Sequence, residues 1–194
     1  TKGRSRLPLY VVIAAFPLIC TVVGAVSLPR PVTTDVARKK VDRSSLKDVV
    51  QTTPFNIPTP LDIEFERTRL EGVSLPKAPV KQGEALPLSF FFEATREMNR
   101  NWQLFVHIDR KGQSHRIHGD HYPARGRYPT TLWQRGEHVK DEWEGKVGNA
   151  PPGEYEVWLG FYIGDERMKY RRGQTRGGGK DNRVLAGTFE IVPK

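Results

Sequence analysis

Gly153-Glu154-Tyr155-Glu156-Val157-Trp158-Leu159-Gly160-Phe161-Tyr162 is the stretch whose reading decides the fold class. Tyr155, Val157, Leu159 and Phe161 occupy alternate positions, the period of a β-strand with one apolar face. Pro152 and Gly153 set a tight turn ahead of it. Working outward, the same alternation recurs. Leu61, Ile63 and Phe65 alternate with Asp62, Glu64 and Glu66. Further strand-like runs lie at Leu86–Phe92, Trp102–Ile108 and Val184–Val192, with turn residues at Asp109–Gly112. Short runs punctuated by Gly and Pro, with no sustained 3.6-residue period, predict a mainly β fold: an antiparallel, immunoglobulin-like β-sandwich over residues 61–194. A domain of about 130 residues can close one core. Trp133 and Trp158 are large enough to plug it. The stretch Gln113–Trp143 has few strand signals and is expected to wrap one edge or end of the sandwich, where such folds carry function.

The first 28 residues have a different chemistry. Leu7 to Leu28 reads LPLYVVIAAFPLICTVVGAVSL, without a charge. As a helix it reaches about 33 Å, enough for a bilayer core of about 30 Å. Lys2, Arg4 and Arg6 precede it and Arg30 follows. Residues 1–28 are therefore expected to form a basic flank and a single transmembrane helix, kinked at Pro17. Ala14, Ala15, Gly24 and Ala25 are small residues suited to packing against other helices. A cleaved signal peptide ending near Ala25-Val26-Ser27 is the rival reading, and the apolar run is longer than a usual signal core. Residues 29–60 hold Pro29, Pro31, Pro54, Pro58 and Pro60 and read as a Pro-rich linker, with a short helix expected at Ser44–Gln51. Cys20 is the only cysteine, so no intrachain disulfide forms and stability must come from packing.

An ordered series runs through the second half of the chain: Phe105-Val106-His107-Ile108, His118-Gly119-Asp120-His121, Gly126-Arg127-Tyr128-Pro129-Thr130, Trp133, Gly136-Glu137, Asp141 and Pro152-Gly153-Glu154-Tyr155. The series resembles the extracytoplasmic β-sandwich domains of bacterial membrane proteins, often attached to multi-spanning proteins that are similar to glycosyltransferases. The likeness covers roughly residues 61–192. It implies a periplasmic domain on the bacterial inner membrane. This chain lacks the transferase region, so no catalytic role carries over.

The net charge of +9, from 31 Lys and Arg against 22 Asp and Glu, favours an anionic neighbour. The charge is scattered and no nucleic-acid motif accompanies it, so nucleic acid is not expected as a partner. Arg171, Arg172, Arg176 and Lys180, in a Gly-rich loop, are candidates for contact with anionic lipid headgroups or a partner subunit. His115, His118, Asp120 and His121 offer nitrogen and oxygen ligands for a metal, but the spacing matches no standard zinc site and Arg116 repels a cation. Loop-stabilising hydrogen bonds are the plainer role for them, and no cofactor is expected. Tyr122 and Trp143 are the aromatic residues best placed to lie exposed and stack on a sugar ring. GxSxG, a catalytic cysteine and a P-loop are all absent from the sequence. The reading is a non-catalytic, membrane-anchored accessory subunit docking on other membrane protein subunits, with an envelope glycan-binding module as the alternative. An enzyme domain completed by a partner is a third.

Overall fold

The computed structural model describes residues 41–173 and 180–194. The expected span, with Ala14, Ala15, Gly24 and Ala25, lies outside them, as does Arg176. Among the described residues no helix is long and apolar enough to cross a membrane.

The described chain is mainly β. Its strands are β1 (Val50–Gln51), β2 (Thr59–Phe65), β3 (Thr68–Ser74), β4 (Val80–Lys81), β5 (Ala85–Ala94) and β6 (Gln103–Arg110). There follow β7 (Arg116–His118), β8 (His138–Lys146), β9 (Gly153–Ile163), β10 (Glu166–Arg167), β11 (Tyr170–Arg172) and β12 (Val184–Val192). One sheet has the order β1-β8-β5-β3-β2-β11; the other has β4-β12-β9-β6-β7, with β10 paired to β9. The expectation of a purely antiparallel fold needs correction. β4 runs parallel to β12, pairing Val80 with Ile191 and Lys81 with Val192. The cause is local: β4 lies beside the end of β12 before the chain turns at Gly83 into β5 of the other sheet. Gln82 N–H donates to Val192 O there, and Gly83 takes the left-handed backbone (φ 88°) that glycine adopts without strain.

The period-two residues meet between the sheets. Ile63 and Phe65 of β2, Leu86, Leu88, Phe90 and Phe92 of β5, and Tyr155, Val157, Leu159 and Phe161 of β9 are all buried in one cluster. Phe161 is its centre. Its ring lies 5.7 Å from Phe65 and 5.2 Å from Phe92, both edge-on, joining the two sheets. Such contacts add about 0.5–1.5 kcal/mol each beyond area burial. Trp133 fills the core as expected, fully buried, with Nε1–H donating to Tyr128 O. Trp158 does not. It alternates with the inward residues of β9, so it faces outward, where the Arg183 guanidinium covers it at 4.6 Å. Tyr155, at the start of β9, donates its OH to Pro151 O at 2.7 Å and ties down the turn that precedes the strand.

Strands also lie where none was expected. The longest are β3, at Thr68–Ser74, and β8, which begins inside the stretch read as a long loop; the short β7 lies wholly within that stretch. The helix expected at Ser44–Gln51 is instead a 3-10 turn, Arg43–Leu46, followed by the two residues of β1. Asp42 caps the turn by accepting from Ser44 N–H. This segment is fastened to the domain. Leu46, Val49 and Val50 are buried in the common core. Lys140 N–H donates to Val49 O, and Arg127 makes a two-pronged contact with Asp48 at 2.6 and 3.1 Å. Farther on, Phe55 covers Phe91 on the outside of the first sheet.

Glu137 anchors the segment from below. Its carboxylate is buried, and one oxygen accepts from Arg43 Nε at 2.7 Å. The other accepts from Tyr128 OH and from Gln134 N–H, each at 2.7 Å. Burial, and then the adjacent carboxylate, push the Tyr128 phenol well above its ordinary range, so it remains a donor.

Candidate functional site

The sequence His118-Gly119-Asp120-His121 extends the pairing of β7 along β6. Gly119 N–H donates to Val106 O, and Leu104 and His121 exchange backbone hydrogen bonds. The Asp120 carboxylate accepts the Val106 N–H at 3.1 Å, taking the place of a ladder carbonyl where the strand is interrupted. His121 then turns across to β8. Its Nε2 lies 2.8 Å from Asp141 Oδ2 and its Nδ1 2.6 Å from Gly119 O. Both partners are acceptors, so both ring nitrogens serve as donors and the imidazolium is favoured. Burial opposes this. The hydrogen bond and charge of Asp141, helped by the Gly119 carbonyl, outweigh it and hold His121 above its ordinary value.

Asp141 is fully buried, and its second oxygen accepts the Ala124 N–H at 2.7 Å. That bond holds an unusual turn. Ala124 (φ 54°), Arg125 (φ 53°) and Gly126 (φ 75°) all lie in the left-handed region. For the two non-glycine residues this costs on the order of 1–3 kcal/mol each. The turn, β8 and the residue after His121 enclose a groove of about 430 Å³. Tyr122 and Trp143 line it, with Arg125, Glu142 and Glu144 around them. Tyr122 is 43% exposed, and its OH accepts from Gln103 Nε2. The Trp143 ring lies against two glycines. A Cβ on Gly145 would stand 2.1 Å from the indole, and one on Gly119 would stand 3.0 Å from it. The fold thus brings Tyr122 and Trp143 together, but the expectation that both face solvent needs correction: Tyr122 is exposed, whereas Trp143 points inward on β8, half-buried and packed against the core with its ring close against Gly145 and Gly119.

The expected metal candidates are divided. His121 has both nitrogens committed to Gly119 and Asp141. His115 packs edge-on against Tyr155, and its Nε2 is buried. His118 and Asp120 stay together, joined by His107, directly opposite His118 in the β6–β7 register. Cross-strand register, rather than nearness in the chain, brings it there. Arg171 and Arg172 are exposed and carry local counter-charges, with Arg172 Nε 2.6 Å from Glu64 and Arg171 Nη2 3.3 Å from Glu66. The Lys180 backbone opens a 3-10 turn, Lys180–Asn182.

Chemically, the His121–Asp141 and His138–Glu71 pairs are tied into structure. His121 has no nitrogen left to activate a nucleophile, which the Asp–His arrangement of a hydrolase requires. His138 likewise holds Glu71 through Nδ1 at 2.7 Å.

No protein-family model matches the chain, and no curated protein matches it in sequence. The solved structures that are similar in outline include two enzymes. One is the alkylpurine DNA glycosylase AlkC of Pseudomonas fluorescens bound to DNA containing an abasic site analog, with TM-score 0.40 and 15% identity, covering 64% of this chain and 30% of that one. The other is a β-glucosidase from Listeria innocua in complex with glucose, with TM-score 0.37 and 15% identity, covering 66% of this chain and 16% of that one. The chain therefore spans less than a third of either enzyme. Likeness at this level carries nothing about activity.

Proposed function

We propose that the chain is a non-catalytic, membrane-anchored accessory subunit whose immunoglobulin-like β domain docks on other membrane protein subunits at the periplasmic face of a bacterial inner membrane. The observation that carries this reading is the clamped segment at residues 42–51. The chain leading from the apolar run enters the domain through the half-buried Arg43–Glu137 pair and the Asp48–Arg127 contact. If residues 7–28 span the bilayer, twelve residues, 29–40, separate that run in sequence from the clamped segment. Proline-rich chain followed by a clamp suits a domain held in place against neighbours.

The immunoglobulin-like reading is supported by connectivity. β3, β5 and β8 in one sheet face β6, β7, β9 and β12 in the other, the arrangement of strands A, B and E against C, C′, F and G. The Tyr155 OH bond to Pro151 O matches the tyrosine corner of such domains. The excess of Lys and Arg favours anionic headgroups nearby.

A second reading is favoured by the Tyr122–Trp143 groove: a docking site for an envelope glycan, with the aromatic faces stacking on a sugar ring and Glu142 and Glu144 accepting its hydroxyls. Calorimetry with cell-envelope saccharides tests it. Binding that vanishes in Trp143→Ala supports it, and silence across the panel removes it. For the principal reading, membranes are washed with alkaline carbonate and intact spheroplasts are treated with protease. Retention of the chain in the washed membrane with cleavage from outside is the expected result. Release by carbonate, or protection until lysis, contradicts it.

A further inference from the structure

We propose that His107, His118 and Asp120 form a zinc-binding site on the outer face of the second sheet. His107 on β6 and His118 on β7 stand opposite each other in register, with ring centroids 5.5 Å apart and planes at 80°. Asp120, just beyond the end of β7, brings Oδ1 to 3.7 Å from His107 Nε2. One ligand atom from each residue lies within 4.8 Å of the others. Zinc bonds of about 2.0–2.2 Å in a tetrahedral arrangement place ligand atoms roughly 3.4 Å apart. The set therefore needs to close by about an ångström, and His118, exposed, is free to turn inward.

The other two groups are held ready. His107 is half-buried between the Phe105 ring, 5.1 Å away, and His118. Asp120 is fixed by the Val106 N–H, and a carboxylate has lone pairs for both that donor and a metal. Arg116 is the evident objection to a cation here. Both prongs of the guanidinium sit on Asp109, at 2.5 and 2.9 Å, a carboxylate that Arg183 also approaches, so its charge is matched in part.

Two imidazoles and one carboxylate select a borderline ion. Calcium and magnesium take oxygen ligands, whereas Zn²⁺ accepts this mixture. Three protein ligands on an exposed strand pair leave a coordination position for water, or for a side chain brought by a docked partner.

The test is titration calorimetry of the untagged full chain in detergent, stripped with chelator, with zinc chloride as the only added ligand. One ion per chain is expected. Losing one of three ligands should cost more than the 10–100-fold typical of an outer-shell change, so His118→Ala and Asp120→Asn should each weaken binding at least about tenfold. His115→Ala, which removes a neighbouring histidine outside the set, should bind as the parent does. His118 is exposed, so its variant keeps the fold, and a thermal melt verifies this for Asp120→Asn. Absence of saturable binding, parental affinity in His118→Ala, or equal loss in His115→Ala would each overturn the site.

Discussion

Replacing Glu137 with glutamine perturbs the clamp that makes residues 42–51 part of the domain. The carboxylate accepts three hydrogen bonds: from Arg43 Nε on Oε1, and from Tyr128 OH and Gln134 N–H on Oε2. A glutamine has one acceptor oxygen and one amide nitrogen. Its better orientation keeps the oxygen toward Tyr128 and Gln134 and turns the NH₂ toward Arg43, where two donors then face each other. One charge-assisted bond is lost, worth about 1.5–3 kcal/mol. Arg43 is 30% exposed and recovers some hydration, so a net cost of about 2 kcal/mol is expected. For a domain of this size that lowers Tm by about 4–8 °C. Denaturant and thermal unfolding of the parent, Glu137→Gln, Arg43→Gln and the double variant give the coupling directly. Amide exchange should rise first at Lys140, whose N–H bonds Val49 O. A Tm within about a degree of the parent, or a coupling under about 0.5 kcal/mol, would refute the clamp.

Other outcomes follow from the same geometry. By NMR titration His121 should lose its proton above, and His107 below, the ordinary value of about 6.5. The raised His121 value stabilises the fold fully below pH ~6.5, and that contribution should fade as pH rises through the folded value. An unfolding midpoint that shows no such decline, or a decline that persists in His121→Gln, contradicts the pairing. Arg125→Gly removes left-handed strain at an exposed turn and should stabilise the fold by about 0.5–1 kcal/mol in denaturant unfolding; destabilisation would show that the turn stores no strain. Tyr155→Phe deletes only the hydrogen bond to Pro151 O and should cost about 1–2 kcal/mol; a neutral result would show that the corner contributes nothing.

The strands legible in the sequence were those whose inward positions are uniformly apolar, such as Ile63 and Phe65 or Tyr155 to Phe161. β8 escaped because its inward positions are Val139, Asp141, Trp143 and Gly145. A carboxylate and a glycine interrupt the pattern, each for a local reason: Asp141 holds His121 and the Ala124 turn, and Gly145 makes room for the indole. β3 was missed for a similar reason, since Thr68, Leu70 and Gly72 make a weak apolar alternation. Trp158 was assigned to the core on size, whereas strand parity places it outside. Tyr122 and Trp143 were named from exposure alone. They meet because His121, one residue before Tyr122, pairs with Asp141, two residues before Trp143. The histidine grouping followed chain proximity, and the fold replaced it with partners across a strand pair. Register depends on the turn at Lys111–Ser114 and on Asp120 standing in for a carbonyl, neither of which periodicity reveals.

Native mass spectrometry of the chain extracted from its own membranes in mild detergent most directly tests whether this is an accessory subunit. The account predicts a stoichiometric assembly with other membrane proteins, surviving moderate salt. A solitary chain at its own mass of 22.1 kDa, from membranes where it is abundant, would contradict it.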